Sequence, residues 1–318
     1  MSRKLLSYTA LGLILGNAAI ADVPKVAVDI APVHSLVSRV MEGVGSPKLI
    51  IPAGASPHEY SLRPSEAKSL QDADMVIWMG EDLAPWMENS IEKLAKNAEV
   101  ITLLEASETK LLDFREGALF EEHDHGDHDD HDDHDDHDDH DDHAGHDHGE
   151  HDPHAWLSIE NAQTWLNLVA GKLSAADPEN AGVYFGNAAA ARSEIEELSK
   201  EVNSILDPVR GRSFVVFHDA YQYFETSFDF PASGAISLGD ATDPSASRIA
   251  EIQGRVREEG INCVLSEPQY NPNLVETVLE GTDAKTGVID PLGVNLEPGS
   301  KLYGDLIRNM AKSLAGCL

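Results

Sequence analysis

Basic residues are scarce in this sequence. Its 318 residues hold 23 Lys and Arg against 56 Asp and Glu, a formal net charge of −33. So acidic a chain repels phosphate backbones and anionic headgroups, which argues against nucleic acid or acidic membrane as partners. Cysteine is scarcer still, with only Cys263 and Cys317. Two thiolates are too few for a Cys-only zinc site. In an oxidising compartment an even pair invites one bridge, two buried free thiols being the other reading. A bridge would tie a predicted strand to the last helix and, in the chain-entropy model, contribute about 4 kcal/mol. Neither H-E-x-x-H nor G-x-S-x-G occurs, so the commonest hydrolase signatures are missing. After the first 21 residues no run is long and apolar enough to cross a bilayer.

Those first residues read as a secretory leader. Arg3 and Lys4 form a positive end, Leu11 to Leu15 lie in a short apolar stretch, and Ala19-Ile20-Ala21 is an A-x-A cleavage site. The expected mature chain is exported and starts near Asp22, with cleavage after Ala21. A membrane anchor is the competing reading, but the stretch is short for a span of about 20 residues.

What the chain has in excess is histidine beside aspartate. Between residues 123 and 151 stand 11 of its 15 histidines: His123, His125, His128, His131, His134, His137, His140, His143, His146, His148 and His151. The segment Glu121 to Asp152 carries 17 of the acidic residues and no Lys or Arg, leaving −16 for the remainder. Imidazole and carboxylate are ligands for borderline divalent metals, zinc first. The H-D-D repeat has no apolar residue with which to build a core, so a disordered metal-binding loop is expected over 121–152. A spacing of three also drifts around a helix of 3.6 residues per turn. Such a tract lacks the fixed geometry of a tight site.

The rest alternates between strand and helix patterns. Strands are predicted at Val26–Ile30, Lys48–Ile51, Asp74–Met79 and Val100–Leu104. Four more are predicted at Ser213–Phe217, Phe230–Ile236, Ile261–Ser266 and Thr286–Ile289. Helical patterns lie between them. Ser158 reads as the cap of one helix and Asp177-Pro178 as the start of a long one running to about Leu206. The predicted fold class is α/β: two lobes, each a four-stranded mainly parallel sheet with flanking helices, joined by one long rigid helix, with a metal cleft between them. The expected division is a leader at 1–21, an N-terminal lobe at 22–173, a linker helix at 174–208 and a C-terminal lobe at 209–318.

Four histidines lie outside the tract. His58, His154 and His218, together with Asp290, fall at predicted strand ends or helix starts, where open α/β sheets bind ligands. Two come from each lobe. Three imidazoles and a carboxylate suit a tetrahedral Zn²⁺. His34 follows the first strand and reads as structural.

These stretches resemble a known family, the substrate-binding proteins of metal-ion ABC transporters, of the periplasmic zinc-uptake type. The resemblance is carried by Gly54-Ala55-Ser56-Pro57-His58-Glu59-Tyr60 with Leu62-Arg63-Pro64-Ser65, and by Asp152-Pro153-His154-Ala155-Trp156-Leu157-Ser158. Phe217-His218-Asp219-Ala220-Tyr221, Ser266-Glu267-Pro268-Gln269 and Asp290-Pro291-Leu292-Gly293 complete it. It implies high-affinity capture of Zn²⁺ in the periplasm by His58, His154 and His218, with Asp290 or water as fourth ligand. It also implies a Cys263–Cys317 disulfide, and delivery to a zinc ABC transporter permease with its cytoplasmic ATPase. Some zinc members have a Glu immediately before the first His; here that position is Pro57. Manganese members tend to carry a carboxylate at the position of His218, so imidazole there favours zinc, although other divalent metals can also bind.

Other functions fit less well. A manganese or other divalent-metal binder of the same family differs only in selectivity. A periplasmic zinc buffer would place the main sites in the tract. A secreted zinc hydrolase would need Glu59 as base beside His58. The expectation is a binding protein rather than an enzyme, with nothing pointing to an obligate oligomer.

Overall fold

The computed structural model describes residues 23–115, 120, 151–237, 244–270 and 273–318. The expected leader and the tract histidines from His123 to His148 lie outside the described residues.

The first lobe is built from β1 (Val26–Val28), α1 (Ala31–Val40), β2 (Lys48–Leu49), α2 (Pro64–Gln71), β3 (Met75–Trp78), α3 (Pro85–Leu94) and β4 (Glu99–Thr102). Its strands are parallel in the order β2-β1-β3-β4. Proline opens each of these three helices at N1 or N2, where the missing N–H costs nothing.

Two helices follow the tract. Ser158 caps α4 (Ile159–Ala176), its hydroxyl accepting from the Asn161 N–H, as expected of a serine before an apolar-periodic run. A 3₁₀ turn at Pro178–Asn180 then leads into α5 (Ala181–Leu206), 26 residues and about 39 Å long. Asp177 does not cap that helix through its side chain. Its carboxylate accepts instead from Asn180 Nδ2 at 2.7 Å and the Tyr184 hydroxyl at 2.8 Å.

The second lobe repeats the alternation with β5 (Phe214–His218), α6 (Gln222–Phe228), β6 (Gly234–Ser237), α7 (Ala246–Glu258), β7 (Cys263–Ser266), α8 (Asn273–Leu279), β8 (Lys285–Val288) and α9 (Leu302–Cys317). The order is β6-β5-β7-β8, again all parallel, so the two sheets share one topology. β6 starts later than predicted, because Phe230 and Ala232 bury themselves in the connection before it. The Cys263–Cys317 bridge is formed and ties β7 to α9. Gly287 on β8 makes room for it, since a Cβ there would meet Cys317 Cβ at 3.1 Å.

Helix α5 buries Tyr184, Ala188, Ala191, Ile195, Leu198, Val202 and Leu206 at three- and four-residue spacing, one stripe of a helix. It packs against α1, α4 and α9. The largest apolar cluster therefore runs without a break from the first sheet through α5 to the second, while a smaller cluster backs the outer face of each lobe.

In each sheet the chain reverses its winding direction between the first and third strands in sequence, the crevice where such sheets take ligands. In the first lobe Asp29 plugs that crevice. Its carboxylate accepts from the Ile30 and Met79 N–H groups, both at 2.7 Å. Complete burial nevertheless pushes Asp29 up from the ordinary carboxylate value to about 7. In the second lobe the equivalent crevice holds His218, the last residue of β5, and Glu267, just after β7.

Candidate metal centre

His58 sits on an irregular loop between β2 and α2, and three hydrogen bonds and a ring contact fix that loop. Trp86 of α3 donates from Nε1 to the Pro57 carbonyl at 2.8 Å. The Tyr60 hydroxyl donates to the Glu66 carboxylate at 2.9 Å, and the same carboxylate accepts the Arg63 N–H at 2.7 Å. Tyr60 and Trp86 also meet edge to face at 5.7 Å.

His154 precedes a single 3₁₀ turn, Ala155–Leu157, that leads into α4. Asp152 Oδ1 accepts both the His154 N–H at 2.9 Å and contacts its Nδ1 at 2.7 Å. His218 meets Glu267 in the same manner, with Nδ1 to Oε1 at 2.6 Å. All four of these side chains are buried. A neutral ring that donates from Nδ1 to a carboxylate carries its lone pair on Nε2, the arrangement in which an imidazole binds a metal.

The three rings converge. His58 and His154 have centroids 5.5 Å apart, and His154 and His218 5.3 Å apart. Trp156, Tyr221 and Tyr270 pack around them at 5.2, 6.1 and 5.4 Å. All three histidines line one narrow cleft with Glu267, Gln269 and Pro291. Burial beside Glu267 and Asp290 holds the Tyr221 phenol well above its usual value, so it stays neutral beside the His218 ring. Among the described residues, no three His, Cys, Asp or Glu side chains already stand in a ligating cluster.

Asp290 is placed differently from the histidines. Oδ1 accepts the Leu292 and Gly293 N–H groups at 3.1 and 2.9 Å, and Oδ2 accepts the Val294 N–H at 2.7 Å. These bonds fold the loop after β8 around the carboxylate. They occupy both lone pairs of Oδ1 and one of Oδ2, leaving Oδ2 one acceptor position.

His34 is away from the cleft contacts, with its ring against the Pro47 carbonyl at 3.3 Å and Ser38 Oγ at 3.4 Å. Burial lowers it below the ordinary imidazole value. Glu59 is solvent-exposed. His151, the last tract histidine, faces Asp113 at 2.9 Å in a two-residue antiparallel bridge at the base of the tract.

Sequence patterns left several residues of this region without a role. Glu267 and Asp152 back two of the three rings. Arg115 donates to Asp219, next to His218, and to Glu225 of α6. Burial raises both carboxylates from the usual range, and Arg115 offsets part of that shift. The Tyr223 hydroxyl accepts the Leu112 N–H and donates to the Asp152 carbonyl, both at 2.9 Å, stitching the two arms of the tract's base together.

Known proteins share both sequence and fold with this chain. A family model described as zinc-uptake complex component A, periplasmic, matches residues 26–317. The high-affinity zinc uptake system protein ZnuA of Paracoccus denitrificans (strain Pd 1222) is 47% identical over 323 residues, covering 98% of both chains. Its counterpart in Brucella abortus (strain 2308) is 44% identical over 314 residues, covering 95% of this chain and 94% of that one. Among solved structures, a crystal structure of ZnuA superposes with a TM-score of 0.73 at 20% identity, covering 93% of this chain and 99% of that one. The binding protein FpvC of Pseudomonas aeruginosa in complex with Mn²⁺ also gives 0.73 at 20% identity, covering 92% and 97%. These two structures share the fold. With its two parallel sheets, its joining helix and a family match over nearly its whole length, the chain belongs to the family of periplasmic component A of the zinc-uptake complex.

Proposed function

We propose that this chain captures Zn²⁺ in the periplasm and delivers it to a zinc ABC transporter permease. The observation that carries the reading is the meeting of His58, His154 and His218 in one cleft, two of them backed by buried carboxylates. Imidazoles fixed in one tautomer by buried acceptors suit zinc better than manganese, which prefers harder oxygen ligands. Oδ2 of Asp290, or a water, is the fourth ligand. No ligand cluster is fully assembled among the described residues, so small ring and loop movements complete the shell as the ion enters.

The role is binding, not catalysis. The base that a hydrolytic reading requires, Glu59, is solvent-exposed. The leader is removed after Ala21, the chain acts as a monomer toward the permease and its ATPase, and the tract histidines form auxiliary, weaker zinc sites.

Calorimetric zinc titration against a competing chelator tests this reading. The mature chain and a version lacking residues 121–150 should both show one tight site. A His58→Ala, His154→Ala, His218→Ala triple variant should lose it. Loss of the tight site with the tract, or its survival in the triple variant, would overturn the assignment.

A further inference from the structure

We propose that Arg115 is a positioning residue: it clasps the turn carrying His218 to the first lobe and so sets how long a captured metal ion stays. The proposal rests on the metal-capture reading above.

Arg115 lies 11 residues after the Leu104 end of the first lobe's β4 connection, just before the tract. Its guanidinium reaches across to the second lobe. Nε donates to both Asp219 oxygens at 3.0 Å, and Nη2 reaches Asp219 Oδ1 as well. Nη1 and Nη2 donate to the two Glu225 oxygens at 2.8 and 3.1 Å. One planar cation thus holds two carboxylates in bidentate fashion, the geometry in which arginine surpasses lysine. Phe120 covers its open face, 3.5 Å from the guanidinium carbon to the ring centroid.

Burial makes this cluster consequential. Side-chain exposure is 17% for Arg115 and 6% for each carboxylate. An exposed ion pair would contribute little. Here, removing the cation leaves two buried acids facing each other, and their repulsion and desolvation act on the turn they belong to. Asp219 directly follows His218, and Glu225 also accepts the Ala232 N–H at 3.1 Å ahead of β6. The strain is therefore delivered to the His218 end of the cleft. His58 and His154 keep their own supports from Trp86, Glu66 and Asp152. Loss of the clasp should loosen one ligand of three and leave the donor set unchanged.

The test is the rate at which zinc passes to an excess of chelator from the full mature chain carrying Arg115→Met or Arg115→Lys. Arg39→Met, which removes an ion pair with the solvent-exposed Glu194 on α5, serves as control. Changes that loosen one group holding a ligand act mainly on its departure, so Arg115→Met should release zinc about tenfold or more faster, with Arg115→Lys between it and wild type. The visible spectrum of the Co²⁺-loaded protein should keep its shape, reporting an unchanged donor set. Arg39→Met should release zinc at the wild-type rate. Amide exchange in the metal-free protein should speed up over 218–221 in Arg115→Met, a readout that does not depend on zinc. Wild-type release and wild-type exchange in a folded Arg115→Met would overturn the proposal. Failure of the metal-capture reading looks different: zinc binding would be unaffected by the three His→Ala changes while the exchange result still stood.

Discussion

Trp156 Nε1 donates to the Pro291 carbonyl at 2.9 Å, joining the turn after His154 in one lobe to the loop after Asp290 in the other. Both residues line the cleft, and the Trp156 ring packs against His154 at 5.2 Å. One side chain thus packs a candidate ligand and bonds across the lobes. Trp156→Phe keeps an aromatic ring but leaves a buried carbonyl without its donor. We expect a loss of about 1 kcal/mol, seen as a melting point lower by about 2–4 °C. An unchanged melting point would mean that the interlobe bond contributes nothing net.

Glu267 offers a sharper test of the cleft. Its Oε1 sits 2.6 Å from His218 Nδ1. Glu267→Gln retains volume and removes the charge that orients the ring. Acceptors behind metal-bound histidines change affinity by about 10- to 100-fold when lost. Chelator competition should show a decrease in that range. A change of less than about threefold would assign Glu267 to packing alone.

Asp29 should make stability depend on pH. Its folded value is raised from 3.8 to about 7 by burial. The protonated form is therefore favoured in the folded chain. This contribution is fully present below about pH 4 and is lost as pH rises toward 7. Denaturant unfolding of wild type and Asp29→Asn from pH 4 to 8 isolates it. The stability of wild type relative to the variant should fall by a few kcal/mol over that window. A difference that stays flat would show that the Ile30 and Met79 N–H groups keep the carboxylate ionised.

The disulfide should matter for folding and not for the cleft. It closes a sequence separation of 54 residues between β7 and α9. Replacing both cysteines with serine should cost about 2–4 kcal/mol, read by denaturant unfolding. Zinc affinity should stay within a fewfold of wild type. A large loss of affinity would mean that α9 helps to set the position of Glu267.

Local periodicity made much of this architecture legible. All eight strands fall within two residues or so of their predicted cores, apart from the late start of β6. Ser158 before α4 is a short-range signal, and it caps the helix as read. Asp177 looks the same in one dimension, yet Tyr184 and Asn180 claim its carboxylate. Sequence placed the three histidines at strand ends or helix starts, and the fold brings their rings together. Their long-range supports were not visible in the sequence. Glu267 lies 49 residues from His218, and Arg115 lies 104 from Asp219. No spacing rule links positions so far apart, and either residue alone is an ordinary surface charge by composition. Asp290 shows the converse limit, since sequence marks its chemistry and only the fold shows three backbone donors around it.

The Tyr223 stitch between Leu112 and Asp152 has a consequence for engineering. One tyrosine side chain thus holds the chain before the tract beside the chain after it. Whatever replaces residues 121–150 inherits the same pair of attachment points, close to His154. A fluorescent domain grafted there would sit beside the cleft with its own termini already brought together, and could report the arrival of an ion without touching either sheet.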